Sequence, residues 1–243
     1  ALLILLSDFE SDGTTRVPLK NEYREWLDKN AYKYGFIESF EDGYRFVGIP
    51  HAKYMDSTFT ISNATDLGQA RQFVAGTKVG DNILVCGGSN ASTTYYTNVD
   101  IYDKDMVHST GTSLSQGRYR CSAGHTDNYA FVFGGFVSSV SNASKTGSAK
   151  VDVYDTDLVH STATDLAQAR GVGGGFSTST LAGMMTGGNE ANGTYSICDY
   201  YDNTLTHSTF NVNQNCQEAG AGATGQYLLL FGGCPYNGST RTY

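Results

Sequence analysis

From about residue 57 onward, short apolar runs alternate with longer polar stretches, and the apolar runs stop at paired glycines. The pairs are Gly87-Gly88, Gly134-Gly135, Gly187-Gly188 and Gly232-Gly233. A second pattern follows the first three pairs after a variable polar loop. It reads Val99-Asp-Ile-Tyr-Asp103 leading to His108-Ser-Thr110, Val151-Asp-Val-Tyr-Asp155 leading to His160-Ser-Thr162, and Cys198-Asp-Tyr-Tyr-Asp202 leading to His207-Ser-Thr209. Runs this short are strand-sized, and the alternation in Val151-Asp-Val-Tyr154 gives one face to a core and the other to polar surroundings.

One full unit predicts four strands. Cys121 to Thr126 is the first and Tyr129-Ala-Phe-Val-Phe133 the second, ending at Gly134-Gly135. Phe136 to Ala149 is a loop, and Val151 to Tyr154 and Leu158 to Thr162 are the third and fourth strands. Four short strands at a period of roughly 50 residues make a β-propeller blade. Radial packing of such blades shields sheet edges that would otherwise recruit other strands. The fourth unit stops soon after Gly232-Gly233, which leaves two expectations. The chain is a fragment, or the propeller closes by borrowing a strand from the N-terminal side.

The pattern resembles the kelch repeat over residues 57–243. Arg71, Arg118 and Arg170 match its early arginine, the glycine pairs match its double glycine, and Tyr102-Asp103, Tyr154-Asp155 and Tyr201-Asp202 match its Tyr-Asp pair. The kelch Trp is absent, and His-Ser-Thr occupies that region. The expected fold is an all-β, kelch-like β-propeller of four-stranded blades. It has about four repeats, the last incomplete, and a small α+β segment in front. The domains are then 1–55 and 56–243.

The leading segment has its own signals. Asn21 to Tyr34 predicts a helix, capped by Asn21, with Glu22 and Glu25 at its positive end and Lys29 and Lys33 at its negative end. Gly35 stops it. Phe36 to Phe40 and Tyr44 to Val47 flank Glu41-Asp-Gly43 as a hairpin. The stretch from Trp26 to Ile37 resembles the closing part of the zinc D-alanyl-D-alanine carboxypeptidases, the VanY-like peptidoglycan peptidases. His51-Ala-Lys-Tyr54 is similar to the end of that family's zinc-binding motif, which makes His51 a metal ligand by resemblance. Gly48 stands where the family's catalytic Glu falls and Pro50 where its Trp falls. A catalytic zinc takes about three protein ligands and a base for its water. The segment therefore reads as a remnant, with no catalytic residue and no cofactor, zinc entering only if the segment is functional.

Charge and composition narrow the partner. The 243-residue chain has a net charge of −8 and no basic stripe, which excludes nucleic acid as the main partner. The apolar stretch Ala1 to Leu6 is too short for membrane insertion. Cys86, Cys121, Cys198, Cys216 and Cys234 are odd in number with no CxxC, and read as free thiols. Asn-x-Ser/Thr sequons begin at Asn63, Asn90, Asn142, Asn192 and Asn237.

His108, His160 and His207 recur at one register, as do the three arginines, so packing inside each blade is their expected role. The loops after the glycine pairs do not recur. Ser89 to Thr97, Phe136 to Ala149, Asn189 to Ser196 and Cys234 to Thr242 carry Tyr95, Tyr96, Phe136, Asn192, Tyr195, Tyr236 and Asn237 as candidate ligand contacts. Variable loops rich in Tyr, Ser, Asn and Gly on a rigid frame form adaptable recognition surfaces. The expectation is a non-enzymatic module binding a protein or glycan, including a cell-wall component. The carboxypeptidase resemblance implies a bacterial or phage protein at an extracellular or cell-envelope site. The alternatives are part of a zinc carboxypeptidase carrying a propeller for targeting, and a structural repeat spacer.

Overall fold

The computed structural model describes residues 8–9, 16–17, 36–38, 44–46, 52–90, 94–138, 145–189 and 193–235. The chain divides into two units, Ala1–Ile49 and Pro50–Tyr243. In the first, β1 (Asp8–Phe9) pairs with β2 (Arg16–Val17) and β3 (Phe36–Glu38) with β4 (Tyr44–Phe46). The second pairing is the hairpin expected around Glu41-Asp-Gly43. The helix expected over 21–34 and the candidate ligand His51 lie outside the described residues.

The second unit is all-β and propeller-like. It begins with a hairpin, β5 (Lys53–Met55) and β6 (Ile61–Asn63). The first full blade follows in the order β7 (Ala75–Val79), β8 (Asn82–Cys86), β9 (Val99–Tyr102), β10 (His108–Thr110), each strand antiparallel to the next. The second is β11 (Ser122–His125), β12 (Tyr129–Phe133), β13 (Val151–Asp155), β14 (His160–Thr162). The third takes β15 (Gly174–Ser177), β16 (Leu181–Met185), then, past the short β17 (Gly188–Asn189), β18 (Gly193–Asp202) and the opening of β19 (His207–Ala223). The far part of β19 pairs with β20 (Leu228–Cys234), the inner half of a fourth blade.

The core lies between blades. Leu84, Val99, Ile101 and Leu114 of the first meet Ala130, Val132 and Tyr154 of the second. Phe131, Phe133, Val151 and Val153 of the second meet Ala182, Met184 and Tyr201 of the third. The third interface is thinner: Phe176, Met185 and Cys198 against partly buried Ala221, Leu228 and Leu230. The second blade is therefore buried on both faces, whereas Ile83 of β8 and Leu229 and Phe231 of β20 are exposed on the outer faces of the first and last sheets.

Innermost strands approach so closely that side chains are excluded. A Cβ on Gly175 would run into the carbonyl oxygen of Ala123, and one on Gly174 would lie 2.6 Å from the Ala221 Cβ. The glycine run 173–175 is therefore an inter-blade contact.

The glycine pairs need one correction. Gly87 and Gly88 have φ of 62° and 106°, and Gly134 and Gly135 have 53° and 102°. In the third blade those conformations belong to Thr186 (56°) and Gly187 (109°). β16 stops at Met185 as β12 stops at Phe133, and Thr186 N–H donates to Ile197 O as Gly134 N–H donates to Lys150 O. The equivalent pair is thus Thr186-Gly187. A β-branched residue holds a left-handed position there, and Gly188 begins the next element.

The repeat also begins earlier than the sequence pattern shows. Asp103, Asp155 and Asp202 each close the turn between the two outer strands by accepting backbone N–H bonds two and four residues on. Each is followed three residues later by a left-handed residue: Met106, Leu158 and Leu205. Asp56 does the same with Thr58 and Thr60, and Phe59 has φ 63°. The β5–β6 hairpin is therefore an outer half-blade, although its sequence has lost the Tyr-Asp and His-Ser-Thr signature.

Candidate functional site

The recurring charged residues build the blades from within. Arg71 donates to Gly87 O (2.6 Å), Val85 O (2.9 Å) and Gln69 O (3.1 Å), and its guanidinium pairs with Asp100 at 2.6 Å. Arg170 makes the same set with Thr186 O, Met184 O and Gln168 O and pairs with Asp199 at 2.7 Å. Arg118 is held by Asp152, Lys150 O and Val132 O. The second carboxylate oxygen of each aspartate meets a histidine Nε2: His108, His160 and His207 at 2.6–2.7 Å. That oxygen also accepts an N–H of the linker entering the blade, from Gly68, Ser115 and Ala167. Burial pushes the Asp100 carboxyl up, but the Gly68, His108 and Arg71 contacts outweigh it and hold its pKa below the usual value. The arginines and histidines are packing residues, as their register implies. Among the described residues no group of three or more His, Cys, Asp or Glu is arranged to hold a metal.

Tyr102, Tyr154 and Tyr201 tie each blade to its linker, their hydroxyls donating to Thr65 O, Thr112 O and Thr164 O. Burial pushes the Tyr154 and Tyr201 hydroxyls far up.

A different class of residue lines the axis. The innermost strands β7, β11, β15 and β19 converge there, and the residue two places after each early arginine sits at the entry to its strand. These are Phe73, Arg120 and Val172, and in the half-blade the equivalent is Glu218. All four have left-handed backbones, with φ of 57°, 53°, 52° and 58°. They form a chain of backbone hydrogen bonds, Arg120 N–H to Phe73 O (3.0 Å), Val172 N–H to Arg120 O (3.2 Å) and Glu218 N–H to Val172 O (2.7 Å). Non-glycine residues held this way cost on the order of 1–3 kcal/mol each and cluster at ligand clamps and active sites.

The four side chains line one cavity of about 320 Å³, with Val74, Cys121, Gly173 and Ala219 beside them. Arg120 lies 4.6 Å over the Phe73 ring and 3.6 Å from the Glu218 carboxylate. An apolar ring, a guanidinium fork and a carboxylate thus surround one opening. Burial pushes the Cys121 thiol up to about 11.

The loops after the first three glycine pairs start beside this mouth. Gln72 bridges Ser89, Tyr119 bridges Phe136 and Gly171 bridges Gly188, so each residue preceding a mouth residue is pinned to the start of a loop. Tyr95 stacks on Tyr119 at 5.4 Å, and Tyr119 contacts Phe73 and Phe136. Tyr95 and Tyr96 are half-buried. Phe136 has no exposed surface; its ring fills the space over Gly171, so it supports the loop and does not face a ligand. Tyr195 lines a second cavity of about 370 Å³ with Gln168, Thr209 and Phe210. Asn192, Tyr236 and Asn237 lie outside the described residues.

Sequence reading missed Phe73, Arg120, Val172 and Glu218. The signal was present. In the three full blades this position lies two residues after the recurring arginine, and its chemistry changes completely from Phe73 to Arg120 to Val172.

No family model and no curated protein matches the chain. Among solved structures, one described as "Structure of YjhT" superposes with a TM-score of 0.62 at 14% identity, covering 79% of this chain and 68% of that one. At that identity the likeness speaks for the architecture: the chain shares the all-β, propeller-like fold of that structure.

Proposed function

We propose that the second unit is a non-enzymatic binding module of the kelch-like kind. It takes a protein or glycan at the axial mouth and on the loops around it. The observation that carries this reading is the set Phe73, Arg120, Val172 and Glu218. Four equivalent backbone positions in a repeat hold four unlike side chains, at a strained conformation, around one cavity. The buried arginines, aspartates, histidines and tyrosines of the three full blades recur; these do not. Phe73 offers a stacking face, and Arg120 and Glu218 offer a donor fork and an acceptor pair for hydroxyls or peptide groups. Tyr95, Tyr96 and Tyr195 extend the surface outward. The resemblance of residues 26–54 to peptidoglycan carboxypeptidases directs the first choice of ligand to the bacterial wall, with the propeller as its targeting part.

The test is co-sedimentation of the full chain with peptidoglycan and wall glycans, beside Arg120→Ala and Tyr195→Ala. Arg120→Ala is expected to weaken binding by about tenfold or more, as loss of a central arginine does at interfaces. Binding unchanged in both variants removes the mouth as the site. Absence of binding by the unaltered chain removes the wall as the ligand.

A further inference from the structure

We propose that the axial mouth recognises a zwitterionic head group, an ammonium and a carboxylate on one carbon as in an α-amino acid, with an aliphatic side chain beside them. This rests on the reading of the mouth as the binding site and names the chemistry that the site takes.

Arg120 differs from the other arginines among the described residues of the second unit. Arg71, Arg118 and Arg170 are buried, and each donates to two or more carbonyls beside its aspartate. The Arg120 guanidinium is 28% exposed and makes no hydrogen bond among the described residues. It rests on the Phe73 ring at 4.6 Å and stands 3.6 Å from the Glu218 carboxylate, beyond hydrogen-bonding reach. An ion pair this exposed adds little to stability. Main-chain bonds already join the blades at these residues. The donors of Arg120 are thus available to a ligand.

The two charges select what can enter. A lone anion would gain Arg120 and meet the like charge of Glu218 beside it, and a lone cation would meet the reverse. A neutral polyol would exchange water for each group at little net gain. A zwitterion lying across the pair sets its carboxylate on the Arg120 fork and its ammonium on Glu218. Two attractions are added and the existing pair stays intact. The short gap between Arg120 and Glu218 suits charges carried on a single carbon, whereas the two ends of a peptide chain lie too far apart. Apolar walls lower the local dielectric and strengthen both contacts.

Those walls also set the rest of the ligand. Phe73 and Val74 are 39% and 38% exposed, and Val172 and Ala219 line the same cavity. At about 320 Å³ it stands at the small end of ligand pockets, which span roughly 300–1,000 Å³. It holds one small molecule or one head group rather than a length of polymer, and its apolar side takes an aliphatic chain.

The unaltered full-length chain is titrated calorimetrically with leucine, N-acetyl-leucine, leucinamide and N-acetylglucosamine. Leucine should bind, and blocking either of its charges should weaken binding about tenfold, in the range for hydrogen bonds to charged groups. Each variant should erase one preference alone. Arg120→Gln should remove the preference for leucine over leucinamide, and Glu218→Gln the preference over N-acetyl-leucine, whereas a damaged fold would weaken all of them together. Cys121 is the one cysteine of the five that is not buried, and it lines the cavity. Leucine at about ten times its dissociation constant should therefore slow Cys121 alkylation about tenfold. Leucine that also releases the chain from peptidoglycan identifies a head group carried by the wall, and leucine that binds without releasing it identifies the free amino acid. No leucine binding, equal binding of either blocked form, or tighter binding of N-acetylglucosamine would overturn the proposal. Wall binding that falls in Arg120→Ala while leucine has no effect would overturn it too, and would leave the mouth standing as the site.

Discussion

Replacing Arg71 by Met should open the first blade. The side chain is fully buried and donates to three carbonyls at 2.6, 2.9 and 3.1 Å while pairing with Asp100 at 2.6 Å. Met restores most of the volume but no donor. Removing one partner of a buried pair costs about 3–5 kcal/mol, because the other charge stays buried. Asp100 retains the Gly68 N–H at 2.7 Å and His108 at 2.6 Å, so the expected loss sits at the lower end, about 3 kcal/mol. Against a total of roughly 5–15 kcal/mol that is a large fraction. Blades contact only their neighbours, so the loss should be local to the first blade. Hydrogen exchange read by mass spectrometry should show β8 and β9 losing protection by about two orders of magnitude, with β16 and β18 nearly unchanged. The pH dependence gives a second reading. Asp100 has a lowered carboxyl pKa when folded, so it stabilises the fold above the ordinary carboxylate pKa. That stability is lost as pH falls through the lowered folded value. With Arg71 gone, one cause of the lowering is gone, and the variant should lose less on acidification than the parent. A loss under 1 kcal/mol, or one spread evenly over all blades, would refute the reasoning.

Three further outcomes follow from the geometry. Gly87→Ala should cost about 2 kcal/mol or more in urea unfolding, since a Cβ at φ 62° would lie 2.6 Å from Arg118 O; a neutral result would mean the inter-blade joint has slack. Cys121 lies in the axial cavity with its thiol pushed up to about 11, so its alkylation rate should rise about tenfold per pH unit from 7 to 10, whereas a plateau below pH 9 would contradict that environment. Asp155→Ala removes the acceptor of two turn N–H groups and should destabilise by about 1 kcal/mol, measured by thermal unfolding, with the left-handed Leu158 as the point of fraying.

The parts of the fold legible in the sequence were those where chemistry repeats with backbone. Val99 to Tyr102 and Val151 to Asp155 announce strands by alternation, and an aspartate and a histidine eight residues apart, recurring after each arginine, announce one buried network. Two things were hidden for physical reasons. The β5–β6 hairpin kept the turn aspartate and the left-handed residue but lost the buried signature, since Lys53 and Ile61 stand where Asp and His recur. Residues rather than backbone geometry define a motif, so the boundary expected at residue 55 cuts through this hairpin. The axial residues were hidden for the converse reason. Their position is fixed by φ and by hydrogen bonds of the main chain, which any side chain can accompany, so Phe73 and Arg120 share no letter to align. The glycine pair misled by one residue in the third blade because Thr186 tolerates a conformation that glycine takes elsewhere.

The axial hydrogen bonds run donor to acceptor from each blade back to the one before, using main-chain atoms alone. Those bonds are therefore indifferent to the side chain carried at residues 73, 120, 172 and 218. Duplicating a repeat would add a blade and one new side chain at the rim without disturbing those already present. Altering that side chain would retune the rim without disturbing the joint. Scaffold length and surface chemistry can vary independently in such a molecule, and residues 73, 120, 172 and 218 are the places at which a library should be randomised to redirect it.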